Sequence, residues 1–418
     1  MRIIADLHIH TKYSRATSKD MNLSTLASWA GIKGIDVLGT GDFTHPAQFA
    51  SIEETLETAE DGLFKLKKDK SPEAVRFMLT AEVSNIFSQN GKTRKVHSLL
   101  LAPDVKSVRK MNSAFSKLGN IASDGRPIFG FSAKDLLKIV LDASPEAMLI
   151  PAHAWTPWFS IFGSKSGFDS IQECFGDLSK HIYAIETGLS SNPQMNWRLS
   201  SLDNITFISN SDAHSPSKLG REANVLDADL SYSEITGIIK KKDREKFLFT
   251  VEFYPEEGKY HYDGHRDCKV RYSPAETIKA NKTCPVCAKG LTVGVMSRVA
   301  ELSDRPEGFT PPNAIPARHM VPLEEILSET LEVCVSSNKV KKEYRRLITE
   351  AGSEFSILLD MEEADLIRLA GEKTASAISK VRSGDISITP GFDGEFGKIK
   401  IFSKTADITA SPLQPKLF

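Results

Sequence analysis

The sequence predicts an α/β protein: a seven-stranded (β/α) barrel, then a small zinc-binding module, then a helical C-terminal domain. Three observations predict it. Short apolar runs alternate with helical patterns over roughly the first 250 residues. Nearly every histidine and many carboxylates of that half stand at the ends of the apolar runs. A cysteine-rich stretch, a proline-marked connector and a run of helical patterns then follow.

Composition sets the limits. At 418 residues the chain exceeds one ordinary domain. The reading divides it into 1–255, 256–305, 306–402 and a tail, 403–418. With 40% hydrophobic and 26% charged residues it has the composition of a soluble globular protein. Its net charge of −1 excludes a global basic field, so any nucleic-acid surface must be local. No apolar stretch is long enough for a membrane span or a signal peptide, so a cytoplasmic protein is expected, with no membrane partner. The 5 cysteines are an odd set with three clustered, which favours a metal site over a disulfide scaffold.

The expected strands are 2–8, 35–41, 76–83, 96–102, 148–153, 182–187 and 205–210. The expected helices are 23–33, 47–67, 133–143, 195–202 and 232–242. The first strand ends in Asp6-Leu7-His8-Ile9-His10. Residues two apart on a strand share a face, so His8 and His10 can aim both rings at one point. The other strand ends carry Asp42, Glu82, His153, Glu186, Asp212 and His214, and His97 opens the fourth strand. The carboxyl ends of barrel strands share one face, where chemistry sits. Each of these residues alone is more often a core histidine, a cap or a solvated charge. Together they form a set suited to zinc, manganese or iron. Two or three such metals support phosphoester hydrolysis by clamping a phosphoryl group and supplying hydroxide near neutral pH. Glu186 reads as a partner that orients a ligand.

These motifs, with Thr40-Gly41-Asp42, Ala81-Glu82, Pro151-Ala152-His153 and Ser211-Asp212-Ala213-His214, resemble those of the PHP (polymerase and histidinol phosphatase) family. The resemblance implies a distorted seven-stranded barrel with a trinuclear site. By motif, His8, His10, Glu82 and Asp212 would hold one metal. Glu82 would bridge to a second with His97 and His153, and Asp42 with His214 would hold a third. Asp212, Glu82 and His153 are the expected catalytic residues. The chain departs from the family in carrying Ser14 and Asp42 where histidines are frequent.

The 154–174 loop holds Trp155, Trp158, Phe159, Phe162 and Phe168 among Gly and Ser. Aromatics beside a metal site can stack on an extruded base, or the loop can pack on itself. His265-Arg266-Asp267-Cys268 and Cys284-Pro285-Val286-Cys287 have the spacing of a structural zinc site, with His265 the preferred fourth ligand and His261 the alternative. Residues 323–336, 339–349 and 376–382 read as helices, and 399–402 as a strand. Lys341 and Arg345 lie in a basic run suited to backbone phosphate. Leu366 to Ala375 looks like half of a helix-hairpin-helix motif. The chain ends in Gln414-Pro415-Lys416-Leu417-Phe418. There Gln414, Leu417 and Phe418 resemble the peptide with which DNA enzymes dock on a sliding clamp.

Taken whole, this order of modules resembles the endonuclease Q family of DNA repair endonucleases. That resemblance implies a metal-dependent endodeoxyribonuclease, zinc or else magnesium or manganese for activity, and nicking of damaged duplex on the 5′ side of uracil, hypoxanthine, xanthine or an abasic site. It implies work at the nucleoid. Trp155, Phe159, Phe168, Glu186, Lys341 and Arg345 are the residues to consider for substrate contact. A PHP small-molecule phosphatase and a 3′–5′ exonuclease are the alternatives.

Overall fold

The computed structural model describes residues 1–71 and 73–402. Its backbone is a mixed 11-stranded sheet flanked by helices. The central path runs Ala317–His319, Phe247–Glu252, Ala223–Asp227, Arg2–Asp6, Val37–Gly39, Arg76–Gln89, Leu63–Leu66, Leu56–Thr58. From Arg76–Gln89 the sheet branches to Ile128–Phe129 and to Lys92–Ala102, and from there to Met148–Pro151. A separate parallel pair joins Ala184–Glu186 to Thr206–Ile208. That pair meets the first strand through the Ile9–Ala213 bridge, and it meets the segment after Met148–Pro151 where the Ala154 amide donates to the Glu186 carbonyl (2.9 Å).

Alternation in the strands explains two cores. Ile3, Ala5 and Leu7 enter one apolar cluster together with Val37, Met78, Leu99, Ile150, Ala184, Ile208 and Leu226. Ile4, pointing the other way, enters the larger cluster, which Ile9 joins from beyond the end of the strand. Residues from strands all along the sheet thus fill one interior, which the Tyr232–Lys241 helix closes from below.

The expected sheet is parallel with short strands, except that only a short link with a turn signal, Gln89-Asn90-Gly91, separates the third strand from the fourth. Arg76–Gln89 and Lys92–Ala102 instead form one long antiparallel hairpin, with Ser84 opposite His97. Ala223–Asp227 runs antiparallel to the first strand, and Phe247–Glu252 antiparallel to it. The expected 47–67 helix ends at Thr55, and Leu56–Thr58 pairs back on Leu63–Leu66. Gly62, at φ +66°, supplies the turn there that a longer helix would not need.

Asp263–His265 and Val270–Tyr272 make a small hairpin whose own core is only Val270, Cys284 and Leu291 with Cys268 and Tyr272. Leu323–Leu331, Asn338–Ala351 and Glu363–Ser383 form the C-terminal helical part, the last breaking at Gly371 (φ 78°, ψ 161°). This part is tied to the first half through Glu354. Its carboxylate receives buried Lys33 Nζ (2.5 Å), Tyr344 Oη (2.6 Å) and the Leu323 amide (3.0 Å). The Ser387–Thr389 and Lys398–Lys400 hairpin turns back onto the small module, where the Arg266 amide donates to Asp393 (2.7 Å). Among the described residues no helix is long and apolar enough to cross a membrane.

Candidate metal centre

The first strand is positioned by Asp6, whose carboxylate accepts the Ser211 and Gly220 amides, each at 3.0 Å. Burial pushes this carboxyl up to about 6, against the amides that hold it down. Asn210 Oδ1 accepts the Leu7 amide at 2.8 Å. The segment carrying Asp212 is thereby registered against the segment carrying His8 and His10.

Three groups of side chains then converge: His8, His10 and Glu82; His10, Asp212 and His214; Glu82, His97 and His153. Within each, one ligand atom per residue lies within 4.8 Å of the others. His10 and Glu82 are shared. His10 Nε2 is 3.2 Å from Glu82 Oε2 and 3.1 Å from Asp212 Oδ1. Glu82 Oε1 is 2.8 Å from His97 Nδ1 and 3.0 Å from His153 Nε2. The Nε2 atoms of His8 and His10 and Oδ1 of Asp212 are buried without a hydrogen-bond partner. Orphaned ring nitrogens aimed at shared carboxylates fit a cluster of divalent cations.

The groups behind these residues are equally fixed. Glu186, fully buried, faces His8 Nδ1 with both oxygens at 3.0 Å, and it accepts the His153 amide (2.9 Å) and Asn210 Nδ2 (2.9 Å). Buried there, it touches His8 and the His153 amide and is closed off from solvent. Asp42 falls in none of the three groups. The expected pairing of Asp42 with His214 on one metal gives way to a place behind His10. Asp42 Oδ1 is 3.3 Å from His10 Nδ1, and Oδ2 accepts the Thr11 amide (2.8 Å), the Thr11 hydroxyl (2.6 Å) and the Ser14 hydroxyl (2.9 Å). Oδ2 is thereby engaged three times, whereas Oδ1 has His10 Nδ1 alone.

Asp42, His153 and Asp212 all have positive φ (49°, 30° and 46°), a conformation that costs non-glycine residues energy and gathers at functional sites. Close packing holds it. A Cβ on Gly188 would fall 2.5 Å from His153 Cβ, so only glycine lets the two loops meet.

The buried carboxylates make the centre attractive to positive charge. Burial depresses the His8 and His10 pKa values, but the surrounding carboxylates more than offset it and hold both above the usual range. Burial would raise Glu82 and Asp212; the facing imidazoles, with Arg126 beside Glu82, keep both ionised and low. Burial takes His97 down to about 4, so it stands as a neutral imidazole. Arg126 escaped sequence reasoning. Its Nη1 donates to Glu82 Oε2 at 2.8 Å, from a loop without periodic pattern.

A fourth group brings together His265, Cys268, Cys284 and Cys287. His265 Nδ1 is 3.6 Å from Cys287 Sγ. Lys269 and Ala288, at φ 55° and 58°, turn the two knuckles that carry the cysteines. His261 is absent from this group: it is buried and its ring lies on Tyr262, 5.2 Å between centroids. The four residues could hold a metal, and their donor set suits zinc.

Comparison with known proteins places the chain. The family model of the MJ0043 C-terminal domain matches residues 322–385. Bacillus subtilis YqxK is 30% identical over 418 residues, covering 96% of this chain and 99% of that protein. Methanocaldococcus jannaschii MJ0043 is 33% identical over 259 residues, 59% of this chain but 31% of its own length. The crystal structure of PfuEndoQ from Pyrococcus furiosus, described as a novel lesion-specific endonuclease, superposes with a TM-score of 0.85 at 30% identity, covering 98% of each chain. Endonuclease Q in complex with a 27-mer duplex, an abasic lesion at its active site, gives 0.83 at 31% identity over 98% of this chain and 100% of that one.

The chain belongs to the endonuclease Q family. In this family member the loop after His153 keeps a core of its own. Trp155 is buried on Phe162 (4.9 Å) with its Nε1 donating to Asn196 (2.8 Å), and Phe168 is buried under the Arg94 guanidinium (4.1 Å). Both therefore leave the set of substrate-facing candidates. Phe159 lies against His97, 4.6 Å between ring centroids, and Trp158 is 47% exposed. Thr156 Oγ1 links the two regions, 3.2 Å from His153 Nδ1 and donating to the Trp158 carbonyl at 2.9 Å. On the Asn338–Ala351 helix of this endonuclease Q family member, Val340, Tyr344 and Leu347 face the core, whereas Lys341 and Arg345 point to solvent. Gln414, Leu417 and Phe418 lie outside the described residues.

Proposed function

We propose that this protein is a metal-dependent DNA repair endonuclease that hydrolyses the phosphodiester 5′ of a deaminated base (uracil, hypoxanthine or xanthine) or of an abasic site. The observation that carries this reading is the full-length likeness to an endonuclease Q bound to a duplex with an abasic lesion at its active site. The ligand geometry supports it from within this chain.

His8, His10, Glu82, His97, His153, Asp212 and His214 hold the catalytic cations, zinc or else manganese or magnesium, with Asp42 fixing His10 from behind. Such cations, when bound, supply hydroxide near neutral pH and neutralise charge on the phosphoryl oxygens. Asp212, Glu82 and His153 are the residues we assign to the reaction. The residues behind them keep the rings in their tautomers and orientation. Water adds to phosphorus, the ester bond to one flanking nucleotide breaks, and that oxygen takes up a proton. Extruding the damaged nucleotide costs a few kcal/mol, and less where pairing is already lost, which favours lesions. Trp158 and Phe159 offer aromatic faces beside His97 and His153 for the displaced nucleotide.

The sheet, filled from one interior cluster and bridged at Ile9–Ala213, supports the barrel reading of residues 1–255. His265, Cys268, Cys284 and Cys287 would carry a structural zinc within 256–305. Lys341 and Arg345 in 306–402 would contact the duplex backbone. The tail at Gln414, Leu417 and Phe418 would dock on a sliding clamp, with the enzyme working on the nucleoid.

The test is a labelled duplex with one deoxyuridine, deoxyinosine or abasic site beside an undamaged control, with zinc, manganese and magnesium supplied separately. A single nick 5′ of the lesion is expected. Release of phosphate from small phosphomonoesters with every duplex intact would move the chain to the phosphatase reading. Digestion only from 3′ ends would move it to the exonuclease reading.

A further inference from the structure

We propose that Arg126 is a catalytic residue of the nicking reaction, its guanidinium binding a non-bridging oxygen of the scissile phosphate. The inference rests on the endonuclease reading above.

Three observations lead to it. Among the described residues, Arg126 is the one Lys or Arg side chain in ion-pair contact with a candidate ligand carboxylate, at 2.8 Å from Glu82 Oε2. That oxygen is also the one facing His10 Nε2 at 3.2 Å, so the guanidinium touches the carboxylate shared between two of the ligand groups. Its side chain is 29% exposed while that of Glu82 is 0%, so the arginine reaches from solvent into the mouth of the centre.

Its backbone is fixed from several sides. The Gly125 amide donates to the Tyr13 carbonyl (2.9 Å), the Thr44 hydroxyl donates to the Gly125 carbonyl (3.0 Å), and the Ser84 amide donates to the Pro127 carbonyl (3.0 Å). A Cβ on Gly125 would lie 2.3 Å from both Asp42 Oδ2 and Ser14 Oγ, so the loop is pressed against the wall behind His10. The long side chain is what can move, and only toward the open side. Arg15 is no substitute: it is 84% exposed and its guanidinium is held by Asp124 (3.2 Å).

A planar, permanently charged fork at the mouth of a carboxylate-rich centre matches a phosphodiester anion. Charge on the non-bridging oxygens is held best by donors already in place, and removing one such donor costs roughly 100- to 1,000-fold in rate.

The experiment compares the full-length wild type with Arg126→Ala and Arg126→Lys. Single-turnover nicking of an abasic duplex, bound metal per chain and duplex affinity in chelator are measured for each. Arg126→Ala is expected to keep its metal content and its duplex affinity while nicking roughly 100- to 1,000-fold more slowly. Arg126→Lys should nick at an intermediate rate, and added guanidinium ion should restore part of the Arg126→Ala rate. Loss of metal in step with loss of rate would overturn the proposal, because Arg126 would then be the counter-ion that shapes Glu82. An unchanged rate would overturn it as well. A wild type that fails to nick overturns the endonuclease reading itself, and is recognised because no variant is needed to see it.

Discussion

Both oxygens of Glu186 stand 3.0 Å from His8 Nδ1, and one of them also accepts the amide of His153 at 2.9 Å. One buried carboxylate thus orients ligands drawn from two different candidate groups. Glu186→Ala should lower metal affinity roughly 10- to 100-fold, because support of this kind sets ring orientation and basicity. Titration of the stripped protein with zinc or manganese checks it; unaltered affinity would show that His8 needs no such support.

Asp212→Asn should abolish nicking yet leave duplex binding intact. The substitution keeps the shape but removes the charge that faces His10 Nε2 at 3.1 Å. Parallel assays of nicking and fluorescence anisotropy on the same abasic duplex decide it, and wild-type nicking would remove Asp212 from the ligand set.

Cys284→Ser should release one metal per chain and lower the melting temperature. The apolar cluster around these cysteines has only Val270, Cys284 and Leu291 as buried members, so metal binding there is folding energy. Metal analysis together with a thermal melt checks both halves of the claim.

Glu252→Gln should raise stability at pH 8 while changing it little at pH 4. Burial pushes the Glu252 carboxyl from 4.5 up to about 8, against the Thr250, Thr187 and Ser209 hydroxyls that hold it down. The folded state therefore keeps a proton that the unfolded chain releases. Stability from this group is complete below 4.5 and is lost as pH rises toward about 8. Glutamine has no proton to lose. Denaturation midpoints across that range should be flatter for the variant, and parallel curves would refute the assignment.

Lys341→Ala and Arg345→Ala should each weaken duplex binding evenly across sequences and reduce the log–log salt slope by about 1. Both side chains point to solvent on the Asn338–Ala351 helix, whose opposite face is buried. Binding isotherms over a salt series provide the slope.

The centre was largely legible because its ligands sit in short, patterned contexts. His8 and His10 alternate on a strand end, and Asp212 and His214 follow an apolar run. Cys268, Cys284 and Cys287 announce their own knuckles. What stayed hidden depends on long-range register. Arg126 lies in a turn with no period, and its partner Glu82 is 44 residues away. Asp42 is a ligand by motif resemblance; the Thr11 and Ser14 hydroxyls across from it, which engage its Oδ2, come from residues whose approach the motif does not show. Two strands were equally hidden: Ala223–Asp227 and Phe247–Glu252, the first running antiparallel to Arg2–Asp6. Trp155 and Phe168 carry the composition of a stacking surface, and their burial is decided by neighbours far along the chain.

The Lys33–Glu354 pair links positions 321 residues apart, and Ala317–His319 completes the open edge of Phe247–Glu252. Late chain therefore finishes structures begun by early chain. A protein stitched in this way should lose its parts together, in one cooperative transition, rather than shed a C-terminal appendage at lower temperature. It also means that synthesis must pass Glu354 before Lys33 finds its partner, and that the Phe247–Glu252 edge stays open until Ala317–His319 has been made.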